Sequence, residues 1–164
     1  MSKVLVIFEE EARIRYKPII EMIVQYFHDL SCDVEVFCAH DDMTVEECRD
    51  KLTESKCDYI CSLDLACFWL STLLESPLYN ILRAKQIHIV IDTGRLLNFK
   101  QHDFALNLFV FVPDTGEPYA QEYPNIPNLA LYPIFELGDA QKMERNRKTI
   151  QDILDAVRRE CETA

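Results

Sequence analysis

Lys3-Val4-Leu5-Val6-Ile7-Phe8 has no polar interruption from Val4 onward and then meets three glutamates in a row, Glu9, Glu10 and Glu11. A strand with one face in solvent alternates apolar and polar residues, whereas a strand that is apolar at every position has to be covered on both faces. Such strands belong to parallel sheets with helices above and below. The run therefore predicts a strand inside a layered α/β domain.

The same alternation continues outward from it. Ile19, Met22, Ile23, Tyr26, Phe27 and Leu30 fall on one helical face, and Pro18 suits the first turn of that helix. Asp33–Cys38 reads as a second strand. Thr44, with Glu47 three residues later, forms a capping box ahead of the next helix. Asp58–Leu63 is the third strand and carries Asp64 at its carboxyl end. Ser76-Pro77 supplies a cap and a first-turn proline to a helix buried through Leu78, Ile81 and Leu82. Ile87–Ile91 is the fourth strand, running into Asp92-Thr93-Gly94, and Leu106–Val112 is the fifth, ended by Pro113. Gly116 to Pro127 holds prolines at 118, 124 and 127 and leaves room for one short helix at most. Residues 95–104 show no regular pattern. Leu129–Tyr132 is a short sixth strand. Asp139 caps a last helix reaching about Cys161, with an inward stripe of Met143, Ile150, Ile153, Leu154, Val157 and Cys161. Strands that alternate with helices are the mark of βαβ units. Right-handed crossovers then favour a three-layer, doubly wound Rossmann-like α/β fold, with a mostly parallel sheet of five to six strands. Residues 1–164 are expected to form a single domain.

Composition narrows the function classes. The chain has 164 residues, 49% hydrophobic and 27% charged, and 17 Lys+Arg against 28 Asp+Glu leave a formal charge of −11. A surface this acidic repels phosphate backbones and anionic lipid, so sequence-independent binding to nucleic acid or membrane is not expected. Three glycines, at 94, 116 and 138, cannot assemble a Gly-rich phosphate loop. No apolar run approaches the ~18 residues of a membrane span, and the first one is too short for a secretory leader. A cytoplasmic location is the expectation. Seven cysteines form no CxxC pair and have no histidine at zinc-finger spacing, which points to reduced, mostly buried thiols and to no metal site.

In an open parallel sheet, ligands bind beyond the carboxyl ends of the strands, near the point where strand order reverses. That rule selects Glu9 and Glu10 with Glu11, the His40-Asp41-Asp42 turn, Asp64, Asp92 with Thr93, and Asp114 with Thr115. Trp69, just after the third strand, is placed to stack on a sugar or a base. Clustered carboxylates can hold Mg²⁺, act as general bases or bind sugar hydroxyls. Asp and Glu after strands also serve as helix caps and solvated loop residues. His88, inside the fourth strand, is expected to point into a helix interface or to accept a core hydrogen bond, and His28 to sit near a helix end. No Ser-His-Asp or Cys-His spacing stands out, and no pattern names a cofactor.

Asp58-Tyr59-Ile60-Cys61-Ser62-Leu63-Asp64, Lys85-Gln86-Ile87-His88-Ile89-Val90-Ile91-Asp92, Leu108-Phe109-Val110-Phe111-Val112 and the stretch from Tyr123 to Pro133 together resemble the amino-terminal, acceptor-side half of GT-B glycosyltransferases, especially the bacterial spore-maturation branch. The resemblance covers about residues 58–135 and is one of rhythm. In that family the carboxyl-terminal domain binds most of the nucleotide-sugar donor, and this chain ends where such a domain would start. The resemblance therefore implies a stand-alone binding or partner subunit without independent catalysis, joined by a partner protein that carries a donor-binding domain. A second resemblance is to response-regulator receivers: Val4-Leu5-Val6-Ile7 with Glu9 and Glu10 looks like their first strand and acidic pair. It implies Asp64 as phosphoacceptor and Thr93 as the hydroxyl position. Where receivers carry a lysine after the fifth strand, this chain has Pro113-Asp114-Thr115. A metal-assisted hydrolase using the acidic strand-end rim is the third alternative.

Overall fold

The computed structural model describes residues 2–40, 42–64, 84–91, 108–114 and 129–163. Asp41, Trp69, Asp92, Thr93, the helix expected from Ser76, residues 95–104 and the stretch from Gly116 to Pro127 lie outside the described residues.

Six strands are described, β1 (Lys3–Glu9), β2 (Asp33–Ala39), β3 (Tyr59–Leu63), β4 (Lys85–Ile89), β5 (Leu108–Pro113) and β6 (Leu129–Tyr132). With them come helices α1 (Glu10–Arg15), α2 (Lys17–Asp29), α3 (Val45–Ser55) and α4 (Ala140–Thr163). The strands form one sheet in the order β2-β1-β3-β4-β5-β6, and every pairing is parallel. The α/β doubly wound expectation holds, with a sheet parallel throughout. Several strand ends differ by one or two residues from the apolar pattern, and β4, expected over Ile87–Ile91, ends earlier, at Ile89. β4 starts two residues early, because Lys85 and Gln86 pair with Tyr59 and Ile60 despite being polar. Pro113 closes β5 opposite Tyr132, at a strand end where a missing N–H is tolerated.

The pleat sorts the core into two layers. Val4, Val6 and Phe8 of β1, Cys61 and Leu63 of β3, Ile87 and Ile89 of β4, and Phe109 and Phe111 of β5 pack with Ile19, Ile23 and Phe27 of α2 and with Ile150, Leu154 and Val157 of α4. Residues of the other parity, Leu5, Ile7, Ile60, Val90, Val110 and Val112, are equally buried and face the opposite side. An ion pair from Lys51 Nζ of α3 to Glu35 of β2, at 3.4 Å, shows that α3 lies over that second face. Its apolar contribution is Cys48 and Leu52, both fully buried.

Local chemistry starts and stops these helices. Thr44 Oγ1 accepts from Glu47 N, and the Glu47 carboxylate accepts from Thr44 N, each at 3.1 Å. Lys56, at φ 45, ends α3 in the left-handed region. Pro18 sits in the first turn of α2, and Asp139 Oδ1 accepts from Lys142 N at 2.9 Å to start α4. The short helix α1 is an addition to the sequence reading. Glu10 and Glu11 occupy its first turn and Arg13 and Arg15 its last, a distribution that suits the helix dipole and permits i,i+3 and i,i+4 pairs.

Ile23 is fully buried between α2 and the sheet. Ile23→Ala is expected to cost ~2–5 kcal/mol through the cavity it leaves, and Thr44→Ala about 1 kcal/mol through the lost cap. Urea unfolding monitored by circular dichroism measures both, and an Ile23→Ala loss no larger than that of Thr44→Ala would contradict the packing.

Candidate functional site at the carboxyl edge of the sheet

From β1 the chain crosses to β2 on one side, and from β3 it proceeds to β4 on the other, so strand order reverses between β1 and β3. Ile7 pairs with Ser62, and the same register carried two residues further brings Glu9 alongside Asp64. These two residues therefore flank the switch point.

Asp64 is held there by three features. Its backbone is left-handed, at φ 49, a conformation that aspartate tolerates better than most residues. Its N–H donates to Ile89 O at 3.0 Å. Its Oδ1 accepts from Ile91 N at 2.6 Å, the short contact of a charge-assisted hydrogen bond. The residue is 7% exposed. Asp64 thus turns the chain out of β3 and ties that turn to the end of β4.

Tyr132 reaches across from β6. It is 3% exposed, and its hydroxyl donates to Val90 O. Burial holds this phenol well above its usual pKa, and the charges of Asp64, Tyr16 and Asp114 push in the same direction. Asp64, Asp114 and Tyr16 are therefore near enough to Tyr132 to act on it. Tyr16 and Tyr132 were not among the expected site residues. Their only signal was position, Tyr132 closing a strand just before Pro133 and Tyr16 preceding Lys17-Pro18.

The other candidates separate. Glu9 is half-buried and takes the N-cap position of α1 without a capping bond from its side chain. Glu10 is exposed on α1 and pairs with Arg13 at 3.3 Å, while Glu11 pairs with Arg15 at 3.3 Å. Asp114, His40 and Asp42 are exposed. Trp69, Asp92 and Thr93 lie outside the described residues, as does Thr115. His28 falls in the last turn of α2, as its dipole preference suggested.

Beneath the rim, on the α3 face, lies a second polar group. His88 pairs across the sheet with Ser62 and Val110, and its Nε2 is 3.1 Å from Gln86 Oε1. The ring is fully buried, and burial pushes its pKa down to about 3. His88 thus makes a core hydrogen bond, but as the donor and not the acceptor expected of it, because an amide oxygen can only accept. Gln86 Nε2 is buried without a hydrogen-bond partner, a local cost to the sheet.

Cys32, Cys38, Cys48, Cys57, Cys61 and Cys161 are all thiols, and of these Cys48, Cys57 and Cys61 are buried. Burial pushes up the thiols of Cys32, Cys38, Cys48 and Cys57, which keeps them protonated. Among the described residues no three His, Cys, Asp or Glu side chains gather to hold a metal ion, and no helix is long and apolar enough to cross a membrane.

No protein-family model matches this chain, and no curated protein does. Two solved structures are similar over most of its length. A flavodoxin from the domain Archaea shares 13% identity over 95% of this chain and 99% of its own, with a TM-score of 0.41. An NADPH-quinone reductase from P. pentosaceus shares 14% identity over 92% of this chain and 96% of its own, with a TM-score of 0.42.

The buried imidazole makes stability depend on pH. Between its ordinary value of 6.5 and the folded value of about 3, the unfolded chain binds a proton that the folded chain refuses. Stability accordingly falls as pH drops through that window, by at most ~1.4 kcal/mol per pH unit from this group. Urea unfolding at pH 7, 6 and 5 is expected to show a steeper loss in the wild type than in His88→Gln. Equal slopes would contradict a buried neutral His88.

Proposed function

We propose that the chain is a binding or partner subunit without catalysis of its own, acting in an assembly whose other protein supplies a nucleotide-sugar-binding domain. The observation that carries this reading is the engagement of Asp64. It is the only buried carboxylate among the described residues, and its Oδ1 accepts the Ile91 N–H. The nearby Tyr132 hydroxyl is committed to Val90 O. A carboxylate bonded to backbone in this way stabilises a strand end and is a poor proton carrier or nucleophile. The exposed acids of α1, Glu10 and Glu11, are engaged with arginines.

A surface suited to a partner supports the same reading. An open trough of about 670 Å³ between α2 and α4 is lined by Pro18, Met22, Leu137 and Met143 together with Arg15 and Arg147. Leu137 is 46% exposed. Methionines adapt their shape to a partner surface, and arginine is favoured at interfaces. The resemblance to glycosyltransferase acceptor halves suggests the partner's class.

A receiver-like signalling domain with Asp64 as acceptor is a second reading. It is favoured by a strand order that begins 2-1-3-4-5 with Asp64 at the end of β3, the arrangement also used by response regulators. The metal-assisted hydrolase draws no support from the described residues.

Two measurements separate these readings. Incubation with acetyl phosphate and Mg²⁺ is expected to leave the protein unlabelled, whereas labelling that disappears in Asp64→Asn would replace the first reading with the second. Purification of the tagged chain from its native source is expected to retain a stoichiometric partner, and Met22→Glu with Leu137→Glu to weaken that association at least tenfold. A chain that purifies alone would remove the partner reading.

A further inference from the structure

We propose that a small cavity at the amino end of the sheet, opposite the switch point, binds an uncharged apolar molecule about the size of a single aromatic ring. The cavity measures about 100 Å³. Its floor is Val4 and Ile87 of β1 and β4, and its walls are Tyr26 and Phe27 of α2 and Leu154 and Val157 of α4.

Besides Ser2, the polar side chains around this space have partners or are held neutral. The Tyr26 hydroxyl donates to Asp155 Oδ1 at 2.6 Å. The Tyr59 hydroxyl is held protonated by burial and by the neighbouring Cys161 thiol of α4. Arg158 Nε lies 3.8 Å from Glu162 Oε1. Burial raises the Cys32 thiol, leaving it protonated, and a protonated cysteine behaves as a small hydrophobe. Both tyrosines thus direct their polar ends to α4 and present ring surface to the space. Water needs two to four polar partners to be held in such a place, and an apolar cavity of ~150 Å³ is known to stay dry and to accept benzene or xenon. The present one is smaller and partly open to solvent, so a ring or a branched chain of about four to six carbons fits it. Close packing is the rule in protein interiors, and a void with this lining is a place where filling is favourable. Charge suits it poorly, because the ring and aliphatic carbon that dominate the lining leave a buried charge undersolvated.

Benzene and xenon are the probes. Benzene titrated into the full chain is expected to shift the methyl resonances of Val4, Ile87, Leu154 and Val157 saturably, with small changes elsewhere. At about tenfold excess over its Kd it should raise Tm by roughly 3 °C. Sodium benzoate, with the same ring and a charge, is expected to bind at least tenfold more weakly. Val157→Met, which fills the space, should abolish the benzene response. Because that substitution could also unsettle the fold, dissolved xenon is the second measurement: wild-type protein should shift the xenon resonance saturably and perturb the same four methyl groups. Unsaturable shifts, shifts spread over the whole protein, equal binding of benzoate, or a folded Val157→Met that still responds would each overturn the site.

Discussion

Two aspartates that bracket β3 pin the centre of the sheet, tying that strand to β1 at one end and to β4 at the other. At the amino end, Asp58 Oδ2 accepts from Lys3 N at 2.8 Å, and Asp58 N donates to Lys3 O at 2.8 Å. At the carboxyl end, Asp64 Oδ1 takes the Ile91 N–H. These pins matter because β1 and its neighbours are apolar on both faces. In a sheet with one wet face, a slip of one residue exposes every core side chain and is strongly penalised. Here a slip would exchange Val4, Val6 and Phe8 for Leu5 and Ile7, apolar for apolar. Hydrophobicity alone discriminates weakly between those states, so directional bonds at the strand ends do the discriminating.

That division explains what could be read from the residue pattern. Runs such as Val4–Phe8 reveal burial on both faces, and burial on both faces implies parallel strands between helices. The Thr44–Glu47 box and the Asp139 cap were legible because their donors lie three residues away. Strand order was not legible, since a side-chain pattern records which faces are buried and not where a crossover lands. Helix α1 escaped notice because six residues with one buried position, Ala12, are too few to show a period. The site was partly legible: the strand-end rule singled out Glu9, Asp64 and Asp114. What Asp64 does there was not, because its partner Ile91 is 27 residues distant. Tyr132 reaches Val90 across 42 residues, which no local pattern anticipates.

The same reasoning applies to α4, which spans 24 residues, or ~36 Å. Ile150, Ile153, Leu154 and Val157 hold it against the sheet and α2, but apolar contact is non-directional and permits small rotations about the helix axis. Two polar points remove that freedom. Asn146, 3% exposed, donates to Glu136 O at 2.7 Å and accepts from Glu136 N at 3.0 Å, taking the place of a neighbouring backbone. Nine residues further along, Asp155 receives the Tyr26 hydroxyl. Because Asn146 and Asp155 lie two and a half turns apart, a rotation that relieved one bond would break the other. Met143 and Arg147 beside the trough, and Leu154 and Val157 beside the amino-end cavity, are consequently presented by one helix whose orientation is fixed at both places.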